Sequence, residues 1–177
     1  NGVLSDLSGT LSDPYNGKES LSIVAAQDKL YIGSDLPFAH RFFMLGLKNT
    51  ISGTVTVDIW DGSAWTAAVD VQDFTSEGGV PFAKNGLIRF RPALDAGWAS
   101  IPDPADVSAL STIKIYNNYW CRLTFSAAFV FDLEYVGFRF AKDTDLNTYY
   151  RDLNRPEVRK AFNNGVAMAN WDQVHCL

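Results

Sequence analysis

The residues able to do chemistry are few and widely spaced. Cys121 and Cys176 lie far apart with no CxxC pattern, so no zinc site is built from cysteine pairs and one disulfide is the most they offer. His40 and His175 are isolated and belong to no HExxH or comparable metal-binding spacing. Nucleophilic catalysis needs a nucleophile beside a base, and glycoside cleavage needs two carboxylates in one cleft. Cys121 falls on an apolar strand face, where a thiol packs as a small hydrophobe, and Cys176 has no identifiable base. Asp58, Asp61, Asp70, Asp73 and Glu77 fall in turns or at exposed strand positions and read as solvated surface. Asp143, Asp145 and Asp152 lack the glycine and terminal glutamate of an EF-hand loop and read as helix-capping acids. Gly33 and Gly78-Gly79 have no phosphate-loop context, and neither GxGxxG nor GxxxxGK(S/T) occurs. The expectation is a protein that is not an enzyme and uses no metal and no cofactor.

Binding is better provided for. Trp60 and Trp65 flank Asp61-Gly62, and a sugar ring stacks on an exposed indole. The simpler reading is a cross-strand aromatic pair that pins a hairpin. Arg89, Arg91 and Arg122 would grip phosphate or carboxylates if one sheet face gathered them, and ordinary surface arginines explain them as well.

The elements that position these residues are short strands. At 177 residues the chain has the length of one domain and buries roughly 70% of its unfolded surface without needing disulfides or a metal. It is 47% hydrophobic and 14% aromatic, a bias suited to half-buried β-surfaces. A net charge of -5 argues against nucleic acid as a partner of the whole surface. The longest apolar run, Phe125 to Leu133, is broken by Ser126 and Asp132 and falls short of the ~20 residues of a membrane helix. The N-terminal residues show neither the basic start nor the apolar stretch of a signal peptide.

Residues 1–20 read as an extended arm, 21–141 as a β-sandwich domain and 142–177 as a helical extension. Within the body, Thr54 to Trp60 alternates Val55, Val57 and Ile59 with Thr54, Thr56 and Asp58, and returns through Asp61-Gly62 into Trp65. Leu21 to Ala26 and Lys29 to Ile32 flank a tight turn at Gln27-Asp28. Arg41 to Leu47 suits a strand buried on both faces. Leu87 to Phe90 puts Ile88 and Phe90 on one face before Pro92 ends the ladder. Trp98 anchors a Pro- and Gly-containing loop. Ile113 to Tyr116 and Tyr119 to Phe125 pair around Asn117-Asn118, and Leu133 to Phe140 is the last strand. Short strands at this spacing predict an antiparallel β-sandwich or jelly roll. After Asp143 the pattern turns helical, with Asn154 capping a helix that starts at Arg155-Pro156-Glu157.

Two groups of segments carry a resemblance. Leu30-Tyr31-Ile32-Gly33-Ser34-Asp35-Leu36-Pro37-Phe38, Val57-Asp58-Ile59-Trp60-Asp61-Gly62-Ser63-Ala64-Trp65 and Tyr119-Trp120-Cys121-Arg122-Leu123 are similar to a series found in β-sandwich domains of tailed-bacteriophage virion proteins. Thr144-Asp145-Leu146 to Tyr150, Asp152-Leu153-Asn154-Arg155-Pro156-Glu157-Val158 and Asn170-Trp171-Asp172-Gln173 resemble the helical part of phage head-to-tail connection proteins. The resemblance implies a virion component of the neck, a connector, adaptor or collar, assembling as a ring with copies of itself and with portal, tail or capsid proteins. Leu4, Leu7 and Tyr15 of the arm and Tyr149, Leu153, Arg155, Val158, Phe162 and Trp171 of the extension are then the expected partner contacts. A capsid decoration protein, or a jelly-roll module binding carbohydrate through Trp60 and Trp65, remains the alternative.

Overall fold

A computed structural model describes residues 4–12, 15, 17–92 and 97–137. These residues are mainly β. The strands are β1 (Glu19–Ser22), β2 (Lys29–Ser34), β3 (His40–Leu45), β4 (Val55–Trp60), β5 (Trp65–Ala67), β6 (Val69–Asp73), β7 (Gly86–Arg91), β8 (Ser100–Ile101), β9 (Asn118–Phe125) and β10 (Val130–Gly137). A front sheet has the order β1-β10-β3-β7-β6 and a back sheet the order β2-β9-β4-β5, with β8 pairing the start of β9. Every pairing is antiparallel. The pairs β1 with β10, β2 with β9, β3 with β7 and β4 with β5 are those of one long hairpin, wound so that successive pairs alternate between the sheets. The result is a two-sheet antiparallel sandwich.

Alternation decides what lies between the sheets. On β4, Val55, Val57 and Ile59 are buried while Thr56, Asp58 and Trp60 face outward, as the period-two pattern requires. On β9, Cys121, Leu123 and Phe125 point inward with them. The front sheet contributes Phe43, Leu45, Ile88, Phe90, Phe131 and Leu133. Arg41 through Leu45 are all buried, as expected for β3. Trp98 packs against this core and meets Phe38 at 4.8 Å between ring centroids, in its expected role as an anchor.

Two local pairings expected from the sequence do not form. Leu21 to Ala26 and Lys29 to Ile32 do not fold back on one another. The chain passes from β1 in the front sheet to β2 in the back sheet, and the connecting N–H groups of Ile23 and Ala26 bond to Phe129 and Phe125. Ile23 is buried, so this crossing also fills the gap between the sheets. Residues 113–116 likewise form no strand, because β9 is already paired with β2 on one edge and with β4 and β8 on the other. Asn117 adopts the left-handed backbone its type favours (φ 59°). The helical extension over 142–177, with Tyr149, Leu153, Arg155, Val158, Phe162 and Trp171, lies outside the described residues.

Candidate interaction surfaces

The outer face of the back sheet holds the aromatic hairpin. Asp61 organises its turn: one carboxylate oxygen accepts bonds from the Ser63 N–H (2.8 Å), the Ala64 N–H (2.7 Å) and the Ser63 hydroxyl (2.9 Å), and the other from the Thr66 hydroxyl (2.6 Å). Gly62 takes the positive φ of 105° that the turn demands. Trp60 and Trp65 are therefore direct cross-strand partners, with ring centroids 5.5 Å apart and planes at 66°. Tyr31 meets Trp65 edge-on at 5.6 Å, and the Arg122 guanidinium lies 5.0 Å from the same ring. Arg122 Nε also donates to Asp58 at 2.7 Å. Ile101, Val107, Leu110 and Trp120 complete a second, smaller apolar cluster against these rings. Gly33 is required beneath it, since a Cβ there would lie 2.8 Å from the Trp120 indole. Trp65 meets Trp60, Tyr31 and Arg122, the packing of a pair that clamps the hairpin, and both indoles stay partly exposed.

The hydrogen bonds from Thr66, Ala64 and Ser63 hold the Asp61 carboxyl below its ordinary value of 3.8. Asp132, bonded to Lys18 Nζ at 2.5 Å, is lowered as well, chiefly by that bond. A carboxylate with a depressed folded-state value stabilises the fold fully above its unfolded value and loses that contribution as pH falls. Thermal denaturation should therefore give a midpoint that holds between pH 7 and about 5 and drops below 3.8. In Asp61→Asn the drop should be shallower, from a lower plateau. A midpoint rising on acidification would contradict this.

Among the described residues, Cys121 and Arg41 are packed inside the fold. Cys121 is 1% exposed, and burial pushes its thiol up to about 12, so it does not supply a thiolate near neutral pH. Arg41 stacks over the Phe38 ring with 3.3 Å to the centroid, and burial pulls its guanidinium down to about 10. His40 is lowered, first by burial and then by Arg41 and Arg89. Among the described residues no three His, Cys, Asp or Glu side chains gather to hold a metal ion. Arg89 and Arg91 belong to β7 in the front sheet and Arg122 to β9 in the back sheet, so the three do not share one sheet face. Arg91 pairs with Asp70, and Arg122 with Asp58.

A different surface was not foreseen. The β1–β2, β3–β4, β6–β7 and β9–β10 connections meet at one end of the sandwich. Backbone bonds knit them together: Ile23 N–H to Phe129, Ser126 N–H to Thr54, Gly53 N–H to Gly79 and Asn49 N–H to Phe82. The buried Asn49 amide adds bonds to the carbonyls of Ile51 (2.8 Å) and Pro81 (2.9 Å). Around this hydrogen-bonded end, large exposed apolar side chains stand at or just beyond the ends of four front-sheet strands: Val24 after β1, Leu47 after β3, Phe74 after β6 and Val130 at the start of β10. Ile51 adds a fifth from the β3–β4 loop. No sequence pattern marks them, since each is a lone hydrophobe beside a turn, and only the topology assembles them.

The arm divides. Leu7 packs against the chain's own core, as does the buried Leu11 of the short helix Ser8–Leu11, while Leu4 is partly buried and Tyr15 is 84% exposed. Comparison with protein-family models, curated proteins and solved structures finds no match to this chain.

Proposed function

We propose that this chain is a non-enzymatic structural subunit of a tailed-bacteriophage particle. Its place is at the neck between head and tail, in contact with copies of itself and with neighbouring particle proteins. The observation that carries the reading is where the resembling segments fall. Residues 30–38, 57–65 and 119–123 include most of β2, the end of β4 with its turn into β5, and the inner part of β9, so the resembling segments fall largely on neighbouring strands of the back sheet. The wound-hairpin pairing is the wiring of a jelly roll, an architecture shared by viral shell proteins and lectins. The packing of Trp65 against Trp60, Tyr31 and Arg122 favours the particle over the lectin. The knitted end with Val24, Leu47, Ile51, Phe74 and Val130 offers the exposed apolar area by which a subunit holds a neighbour. The test is mass spectrometry of density-purified particles from the source that encodes the chain. The chain is expected in the particle fraction, and its absence there would overturn the reading.

A further inference from the structure

We propose that the open edge of β2 pairs with β2 of a second copy of this chain, joining two back sheets into one antiparallel sheet. The inference does not depend on the particle reading. Exposed sheet edges are normally blunted, because their unpaired N–H and C=O groups recruit other strands. Among the described residues, three edges are blunted here: β1 has four residues, β5 has three, and β6 breaks register between Val69 and Gln72. The fourth is not. β2 runs six residues from Lys29 to Ser34 in unbroken register with β9, without proline or bulge, and no other strand among the described residues bonds to it.

The hydrogen-bond pattern shows which groups the edge presents. Ala68 N–H bonds to Val57 and Ser126 N–H to Thr54, so on β4 the odd-numbered residues bond toward β5 and the even-numbered ones toward β9. Alternation across β9 then directs its odd-numbered residues toward β2 and engages Leu30, Ile32 and Ser34. Lys29, Tyr31 and Gly33 turn their backbone groups to the open edge, and Asp35 follows at the bend just past the strand's last residue.

Antiparallel self-pairing must match these odd-numbered positions with one another, and one register makes the side chains complementary. With Ile32 opposite Ile32 on the two-fold axis, Lys29 faces the partner's Asp35, and Tyr31 faces the partner's Gly33. The same contacts repeat on the other side of the axis. Lys29 and Asp35 are both exposed. Gly33 adds no side chain of its own, and the Trp120 indole already lies over it as a ring for Tyr31 to meet. Shifting the pairing by two residues in either direction puts Lys29 opposite an uncharged residue or beyond the partner's Asp35, so charge selects the register.

The test is sedimentation equilibrium on the full chain. Wild type should show a reversible monomer–dimer equilibrium. Lys29→Glu and Asp35→Lys should each weaken the dimer roughly tenfold by opposing like charges at both ends of the paired strands. The double variant Lys29→Glu/Asp35→Lys should return to near wild-type affinity, because the swap restores both pairs. A chain monomeric at all concentrations would overturn the proposal, as would a dimer equally strong in all four proteins or a double variant no better than the singles.

Discussion

Replacing Phe82 with alanine is expected to lower the unfolding free energy by about 3–5 kcal/mol, the range found for aromatic truncations in close-packed cores. Phe82 belongs to the long β6–β7 connection, yet it is 0% exposed. Its ring stacks on Phe131 at 4.4 Å with planes 9° apart and meets Phe43 edge-on at 5.5 Å and Phe125 at 6.3 Å. The loop is therefore part of the core, inserted between the sheets from the knitted end. Phe82 is held at a positive φ of 55°, a backbone state costly for a bulky residue. Its N–H donates to the Thr75 hydroxyl (3.0 Å), and its carbonyl accepts from the Asn49 N–H (3.0 Å). These bonds stop the backbone from collapsing into the space a truncation leaves, which places the cost toward the upper part of the range. Urea unfolding followed by tryptophan fluorescence should show the loss as a lower midpoint with an unchanged slope. A change below about 1 kcal/mol would mean that the loop does not plug the core.

Gly86→Ala is the second large effect, expected to cost about 1–3 kcal/mol. Gly86 opens β7, and a Cβ there would strike the carbonyl group of Phe74. The obstacle is backbone, fixed by the bond from the Phe74 N–H to Leu87, so it cannot rotate aside as a side chain would. Gly9→Ala supplies the contrast, since nothing lies within 4 Å of the added methyl group and the residue is helical. Thermal scans should show a clear drop for the first variant and none for the second. Equal midpoints would contradict the close approach of Phe74 to β7.

Phe82 and Gly86 owe their importance to distant neighbours, whereas the features legible in the sequence are local. The β4–β5 hairpin was legible because its alternation, its Asp61-Gly62 turn and its Trp60–Trp65 pair all sit within a dozen residues. The inward faces of β7 and β9 were legible for the same reason. Strand partners were not, because β1 finds β10 and β2 finds β9 across most of the chain, and nothing in either segment names the other. That is why 113–116 looked like a hairpin partner for β9 when both edges of β9 were taken by distant strands. Phe82 reads in the sequence as the start of a turn over Phe82 to Gly86, because a lone aromatic after a proline carries no periodicity to mark it as core. The exposed apolar end and the open β2 edge were invisible in the same way. Each is defined by which strands lie beside it and which do not.

Copy number tests the proposed role most directly. Quantitative mass spectrometry of purified particles would compare this chain with the portal and with the major capsid protein. A ratio matching the portal is the expected result for a neck component. A ratio matching the capsid protein, or no chain in the particles, would contradict it.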